Sequence, residues 1–165
     1  MKHDIDIRWT AFDGPLGRMI VAATTQGIAG VWFDDQRHLP DMNGWREDAL
    51  DPLLKRAVNE LTEYFDGRRK QFDLPLDLYA GTAFQQSVWR ALLAIPRGET
   101  VSYRALSARI GRPTAQRAVG AAVGRNPIGV VVPCHRVLGA DGALTGYAGG
   151  LERKVALLRI EGVAG

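Results

Sequence analysis

The apolar positions of this chain change period along its length. Residues 5–12, 19–24 and 28–33 are short stretches rich in β-branched and aromatic residues, with Gly14-Pro15 and Gln26-Gly27 as turns between them. They predict three strands, and an antiparallel sheet is the economical arrangement. From Glu47 to Phe65 the period becomes helical. Leu50, Leu53, Leu54, Ala57, Val58, Leu61 and Phe65 fall on one stripe, with Gly67 as a stop. This helix is expected to cover the sheet. Residues 68–76 hold neither period and read as a connector, which places a boundary near residues 76–81 and divides the chain into units 1–78 and 79–165.

The second unit opens on a Thr-x-x-Gln capping box, Thr82 to Gln85, and continues through Val88, Leu92 and Ile95 on one face until Pro96. Tyr103, Leu106 and Ile110 then give a short helix that stops at Gly111. After the turn Arg112-Pro113-Thr114, residues 115–123 predict a second helix, capped by Thr114 and ended near Gly124. Two short helices across a tight turn suggest helix-turn-helix. Ala115, Ala118, Gly120, Ala121 and Ala122 leave the second helix almost without bulk, so it suits close approach to another surface or packing against a neighbouring helix. A final helix runs from Leu151 to about Ile160 and ends on Glu161-Gly162. A carboxylate at a helix C-terminus is unfavourable by roughly 0.3–1 kcal/mol, so Glu161 is either an exposed residue of no consequence or one held there for a task. The chain reads as a mixed α/β (α+β) protein, a sheet with its helix followed by a mostly helical unit.

Composition narrows the class. At 165 residues, 46% hydrophobic and 24% charged, the chain is ordinary globular material with enough length for one sizeable core or two small ones. Residues 1–6 lack the apolar stretch of a signal peptide or of a membrane span of roughly 20 residues, and a lone cysteine forms no internal disulfide. A cytoplasmic protein without membrane association is expected. His3, His38, His135 and Cys134 are scattered without ligand spacing, so neither a metal nor a cofactor is expected.

Charge changes the picture more. Residues 1–96 hold 11 Lys/Arg against 14 Asp/Glu, residues 97–136 hold 7 against 1, and residues 137–165 hold 3 against 3. All seven cations of the middle block are arginines, at 97, 104, 109, 112, 117, 125 and 136. Guanidinium forks suit phosphate, so the block suggests a nucleic-acid face; a solvated arginine-rich surface is the alternative.

The candidate chemistry lies at the end of that block. Cys134 is followed directly by His135 and Arg136, and a lone thiol beside a possible base reads as a nucleophile. Free cysteine is also among the most buried residue types, so a structural role is the competing reading. Nearby positive charge lowers a thiol pKa from about 8.5, which favours the nucleophile. Residues 128–132 are a β-branched run, expected to deliver Cys134 out of a buried strand into a bend fixed by Pro133. The loop Gly146-Tyr147-Ala148-Gly149-Gly150 reads as a surface turn or as bare backbone brought close to a ligand.

These segments together resemble the O6-alkylguanine-DNA alkyltransferases: Pro133-Cys134-His135-Arg136-Val137, preceded by Arg117-Ala118-Val119-Gly120 and Gly124-Arg125-Asn126-Pro127, and followed by residues 144–151. The likeness runs from about Phe84 to Glu161, and the first third is only weakly similar to the family's ribonuclease-H-like domain. The resemblance implies a winged-helix-like second domain and a single-turnover repair protein that moves the alkyl group of O6-alkylguanine, and of O4-alkylthymine, irreversibly onto Cys134. It implies that His135 forms the thiolate through a water, that Glu161 orients the imidazole, and that Asn126 braces the turn. For DNA it implies a monomer on the minor groove of double-stranded DNA. Arg117 would fill the place of the extruded nucleotide and Tyr103 would crowd the adjacent phosphate. Thr114, Ala118, Ala121, Ala122, Arg125 and Arg136 would lie along the duplex. Tyr147, Ala148, Gly149 and the carbonyl of Val137 would line the base pocket. A thiol hydrolase, a lesion sensor without acceptor chemistry and a DNA-binding regulator are the rival readings.

Overall fold

The structure is a computed structural model and describes residues 6–163. Strands β1 (Arg8–Gly14), β2 (Gly17–Ala23) and β3 (Ile28–Phe33) form the expected antiparallel meander, although the first position of the predicted first strand, Ile5, lies outside the described residues. A two-residue strand β4 (Arg46–Glu47), unannounced by any apolar period, adds in parallel to β1, giving the order β3-β2-β1-β4. β2 is buried from Met19 to Ala23 because its faces serve two clusters. Met19, Val21 and Ala23 join the main core, while Ile20 and Ala22 meet Trp32 and, across the outer face, Trp9, Met42 and Trp45.

Helix α1 (Pro52–Phe65) begins five residues later than its stripe suggests. Asp51 caps it by accepting from the Leu54 amide at 3.0 Å, and Pro52 takes the first position, where a missing N–H costs nothing. Leu50 stands outside the helix and is 80% exposed. Leu54, Ala57, Leu61 and Tyr64 are buried in the main core.

α2 (Ala83–Leu93) starts with the predicted capping box, both of its bonds present. β5 (Val101–Ser102) leads into α3 (Tyr103–Arg109), capped by the Ser102 hydroxyl, and Gly111 ends that turn at φ +75°. α4 (Gln116–Gly124) follows, and here the expectation is corrected: Ala115, not Thr114, is the cap residue and no side chain caps the helix. β5 pairs in parallel with β6 (Val137–Leu138), and α5 (Leu151–Ile160) closes the fold as expected. Leu54, Leu61, Trp89, Leu92, Ile128 and Val132 share one buried cluster, so the sheet and the helical unit pack on a common core.

Candidate active site and nucleic-acid face

The predicted strand before the cysteine is not a strand. Ile128 makes a single parallel bridge to Val31 of β3, and residues 129–132 turn. Val130 sits at φ +68°, a left-handed conformation that strains a β-branched residue by about 1–3 kcal/mol. Asn126 holds this turn, its Nδ2 donating to Val132 O at 2.8 Å and its Oδ1 accepting from the Ile128 amide at 3.0 Å. The sheet holds it from the other side, where Val31 N donates to Pro127 O (2.9 Å) and Gly129 N donates to Val31 O (3.0 Å). A run of valines reads as a strand because apolar β-branched character is what burial requires in either conformation. Cys134 then opens a three-residue 3-10 turn, Cys134–Arg136, and that bend supplies the change of direction assigned to Pro133.

The three residues of this turn diverge. His135 is fully buried and shares its Nε2 hydrogen with Glu161 Oε2 at 2.7 Å, while its Nδ1 has no partner. Among the described residues it is the one buried side-chain polar atom left so. Glu161 is therefore buried and partnered, not an exposed residue of no consequence. Its two oxygens accept a bidentate pair from Arg136 (Nε to Oε1 2.8 Å, Nη2 to Oε2 2.9 Å), and Oε2 also accepts the Tyr64 hydroxyl of α1 at 2.5 Å. Burial alone would raise this carboxyl; the hydrogen bonds from His135 and Arg136 hold it well below the usual carboxylate range. Burial lowers the His135 pKa, against the pull of Glu161, so the imidazole is neutral near pH 7. With Nε2–H given to the carboxylate, Nδ1 is a bare acceptor.

Arg136 is thus corrected. Its third nitrogen donates to Ile95 O at 2.6 Å, the side chain is buried, and its charge belongs to Glu161. It does not face DNA, and it does not activate the thiol. Burial pushes the Cys134 thiol up, and the Asn126 side chain and the Lys154 charge pull it back. Lys154 is a fully buried residue of α5 whose Nζ donates to Val137 O (2.7 Å), Thr145 O (2.7 Å) and Gly146 O (3.4 Å). Burial draws its pKa down to about 8, which leaves it mainly cationic at neutral pH.

Cys134 opens on a cavity of about 350 Å³. Asn126, Tyr103, Gly120, Ala121 and Arg125 line it from the helical side, and Tyr147, Ala148 and Gly149 from the glycine loop. A Cβ at Gly149 would stand 2.9 Å from the Tyr147 ring and 3.1 Å from that of Phe33, so that approach needs glycine. Val137 is fully buried and is not among the residues that line this wall, and its carbonyl accepts from Lys154. On α4, Arg117, Ala118 and Ala121 are exposed, as are Thr114 and Arg125 beside it. Ala122 faces inward, with its carbonyl accepting from Trp89 Nε1 at 2.8 Å, and cannot lie along a duplex.

Residues 83–163 match the model of the DNA-binding domain of the 6-O-methylguanine DNA methyltransferases, and residues 7–78 match that of their ribonuclease-like domain. The chain belongs to this methyltransferase family. The methylated-DNA–protein-cysteine methyltransferase of Mycolicibacterium paratuberculosis is 46% identical over 155 residues, covering 94% of this chain and 92% of that protein. The regulatory protein ada of Salmonella typhimurium is 42% identical over 96% of this chain, which spans 46% of that longer protein. A crystal structure of Mycobacterium tuberculosis OGT in complex with DNA superposes with a TM-score of 0.86 at 45% identity, covering 93% of this chain and 92% of that one.

Five residues around the site escape a reading of the sequence. Lys154 falls on the buried stripe of α5 with Leu157, Leu158 and Glu161, a spacing that marks it as inward-facing. Tyr64 likewise continues the Leu54, Ala57, Leu61 stripe of α1. The loop residues Gln36, Arg37 and His38, which also line the cavity, carry no local signal of that position.

Proposed function

We propose that this chain repairs O6-alkylguanine in double-stranded DNA, and O4-alkylthymine by the same route, by transferring the alkyl group to Cys134 once per molecule. The observation that carries this reading is a lone cysteine on a cavity beside the exposed helix α4, next to an imidazole whose free Nδ1 is fixed by a buried carboxylate. His135 Nδ1 takes the thiol proton through a bridging water, and Glu161 orients the ring and stabilises the imidazolium. Sγ attacks the alkyl carbon. The S–C bond forms as the C–O6 bond breaks, the electron pair leaves on the base, and the proton ends on N1 of guanine. The thioether has no carbonyl for water to attack, so the protein does not turn over.

The same reading places α4 in the minor groove, which is about 6 Å wide and suits a helix whose outer face is Ala118 and Ala121. Arg117 enters the stack where the extruded nucleotide was, and Tyr103, at the cavity's edge, crowds the neighbouring phosphate. Arg125 and Thr114 hold backbone phosphates, and Tyr147, Ala148 and Gly149 receive the base. Asn126 maintains the strained turn. The protein acts as a cytoplasmic monomer, with the functional division falling between residues 78 and 79. None of the described helices is long and apolar enough to cross a membrane.

Intact-protein mass spectrometry after incubation with a duplex bearing one O6-methylguanine tests the reading. The expected result is one added methyl per protein, mapped to Cys134 and never exceeded; an unmodified protein would refute it.

A further inference from the structure

The loop after β3 sorts its charges. Asp34 pairs with Arg18 of β2 at 3.6 Å and Asp35 with Arg153 of α5 at 2.7 Å, so the two acids that open the loop are paired with the body of the protein, while Asp41 accepts from the Asn43 amide further along the loop. The next two charged positions, Arg37 and His38, line the cavity of Cys134 together with Arg125 from the end of α4. Their placement is built. Gln36 accepts from the Phe33 amide at 3.0 Å and closes the turn, and the Arg37 amide donates to Ala148 O at 3.0 Å, fastening this loop to the glycine loop across the cavity. His38 adopts φ +61°, a conformation uncommon for a side-chain-bearing residue.

Three basic side chains converge here. Burial, with the charges of Arg125 and then Arg37, lowers the His38 pKa, so both guanidinium groups act on the imidazole. Among the described residues no ion pair involves Arg37 or Arg125. Like charges collected at a cavity mouth without an acid repel one another in the free protein, and an anion seated among them removes that repulsion. The neighbouring exposed surface is α4 with Arg117, so the anion within reach is the backbone of the strand that α4 holds.

We propose that Arg37 and His38, with Arg125, form a phosphate clamp that grips the DNA strand beside the nucleotide entering the cavity, extending the DNA interface from the helix-turn-helix onto the first domain. The clamp rests on the alkyl-transfer reading above. It gives the first domain a part in holding the strand. For duplex DNA, each phosphate that a side chain neutralises adds about 0.9 to the slope of log affinity against log salt, so deleting that side chain removes the same amount.

The test compares the full chain with the double variant Arg37→Ala/His38→Ala and with Arg37→Lys on an unmodified duplex over a salt series. The double variant is expected to lose about one from the slope, the share of the Arg37 charge, since the His38 pKa is lowered and His38 donates as a neutral imidazole. It is expected to repair a duplex about tenfold more slowly, with a smaller loss in transfer from free O6-benzylguanine. Arg37→Lys is expected to keep the slope, because a lysine still neutralises a phosphate. A double variant with the wild-type slope overturns the clamp. So does a free-base loss equal to the duplex loss, which would make these residues part of the cavity wall rather than a grip on the strand. Whether wild-type Cys134 is methylated decides the repair reading separately, and the salt slope decides the clamp whatever that result.

Discussion

Two groups of arginines lie within one forty-residue stretch of positive charge and end in opposite environments. Arg104, Arg109, Arg112, Arg117 and Arg125 are exposed on and around α3 and α4. Arg136 is buried in a bidentate pair with Glu161, and Arg97, partly buried, donates to Ile160 O at 2.8 Å and lies over the Tyr64 ring at 5.6 Å. The exposed set has high dielectric around it and fits a polyanion. The buried set has a partner fixed at each nitrogen that matters, and there an arginine is part of the machinery that holds a histidine. Charge density along a sequence counts both alike; what divides them is whether acceptors from other elements reach the guanidinium, a carboxylate for Arg136 and backbone carbonyls for Arg97.

The sharpest way to separate the two regions removes the thiol alone. Cys134→Ser should abolish alkyl transfer entirely while leaving duplex affinity near wild type, because the exposed face is untouched; mass spectrometry and a binding titration check both halves. Glu161→Gln comes next. It leaves Arg136 charged and buried with one good partner fewer, a situation that costs about 3–5 kcal/mol when a buried pair is broken. Thermal unfolding should show that loss, and transfer from free base should fall as His135 loses the carboxylate that orients it. A variant as stable as wild type would mean that the buried cluster is no different from a surface pair.

The same contrast explains which features are legible in the sequence. The Thr82 capping box, the strands from Met19 and Ile28, the α3–α4 pair and the extent of α5 are readable, because each rests on interactions within a few residues. Cys134 beside His135 is readable from the residues as a nucleophile next to a possible base, whereas the places of Asn126 and Glu161 beside them are readable only through a resemblance to a family. The geometry that makes this constellation work depends on Tyr64, 97 residues away from Glu161. The turn at Val130 reads wrongly as a strand because a valine run satisfies burial in a strand and in a strained loop alike. Arg136 and Ala122 read wrongly as part of the DNA face because neither charge nor small size says which way a residue points.

On the exposed side, Arg117→Ala should slow repair in duplex DNA by at least about tenfold while affecting transfer from free O6-benzylguanine much less. Extruding a nucleotide costs a few kcal/mol, and only the duplex needs it. Equal losses on both substrates would move Arg117 out of the extrusion step.

The smallest expected effect probes the junction of the two domains. Tyr64→Phe keeps the ring that packs against Phe65 and Phe72 and removes one donor from Glu161 Oε2. The loss should be about 1–2 kcal/mol, since Arg136 and His135 still bond the carboxylate. The consequences for pH have definite signs. The charged groups acting on Tyr64 and His135 are Glu161, Arg136, Arg97 and Lys154. With one hydrogen bond fewer, Glu161 is more basic, and its folded pKa rises toward the ordinary value. A depressed carboxylate stabilises the fold above its unfolded pKa of about 4.3, and that contribution is lost as pH falls through the folded pKa, so the variant should acid-unfold at a higher pH than wild type. The same freed negative charge raises the His135 pKa, which burial now lowers. Transfer from free base requires a neutral Nδ1, so the acid limb of its pH profile should move upward toward neutrality. An acid limb that stays in place, with only the stability changed, would reduce Tyr64 to a packing residue and leave the first domain without a hand in the chemistry.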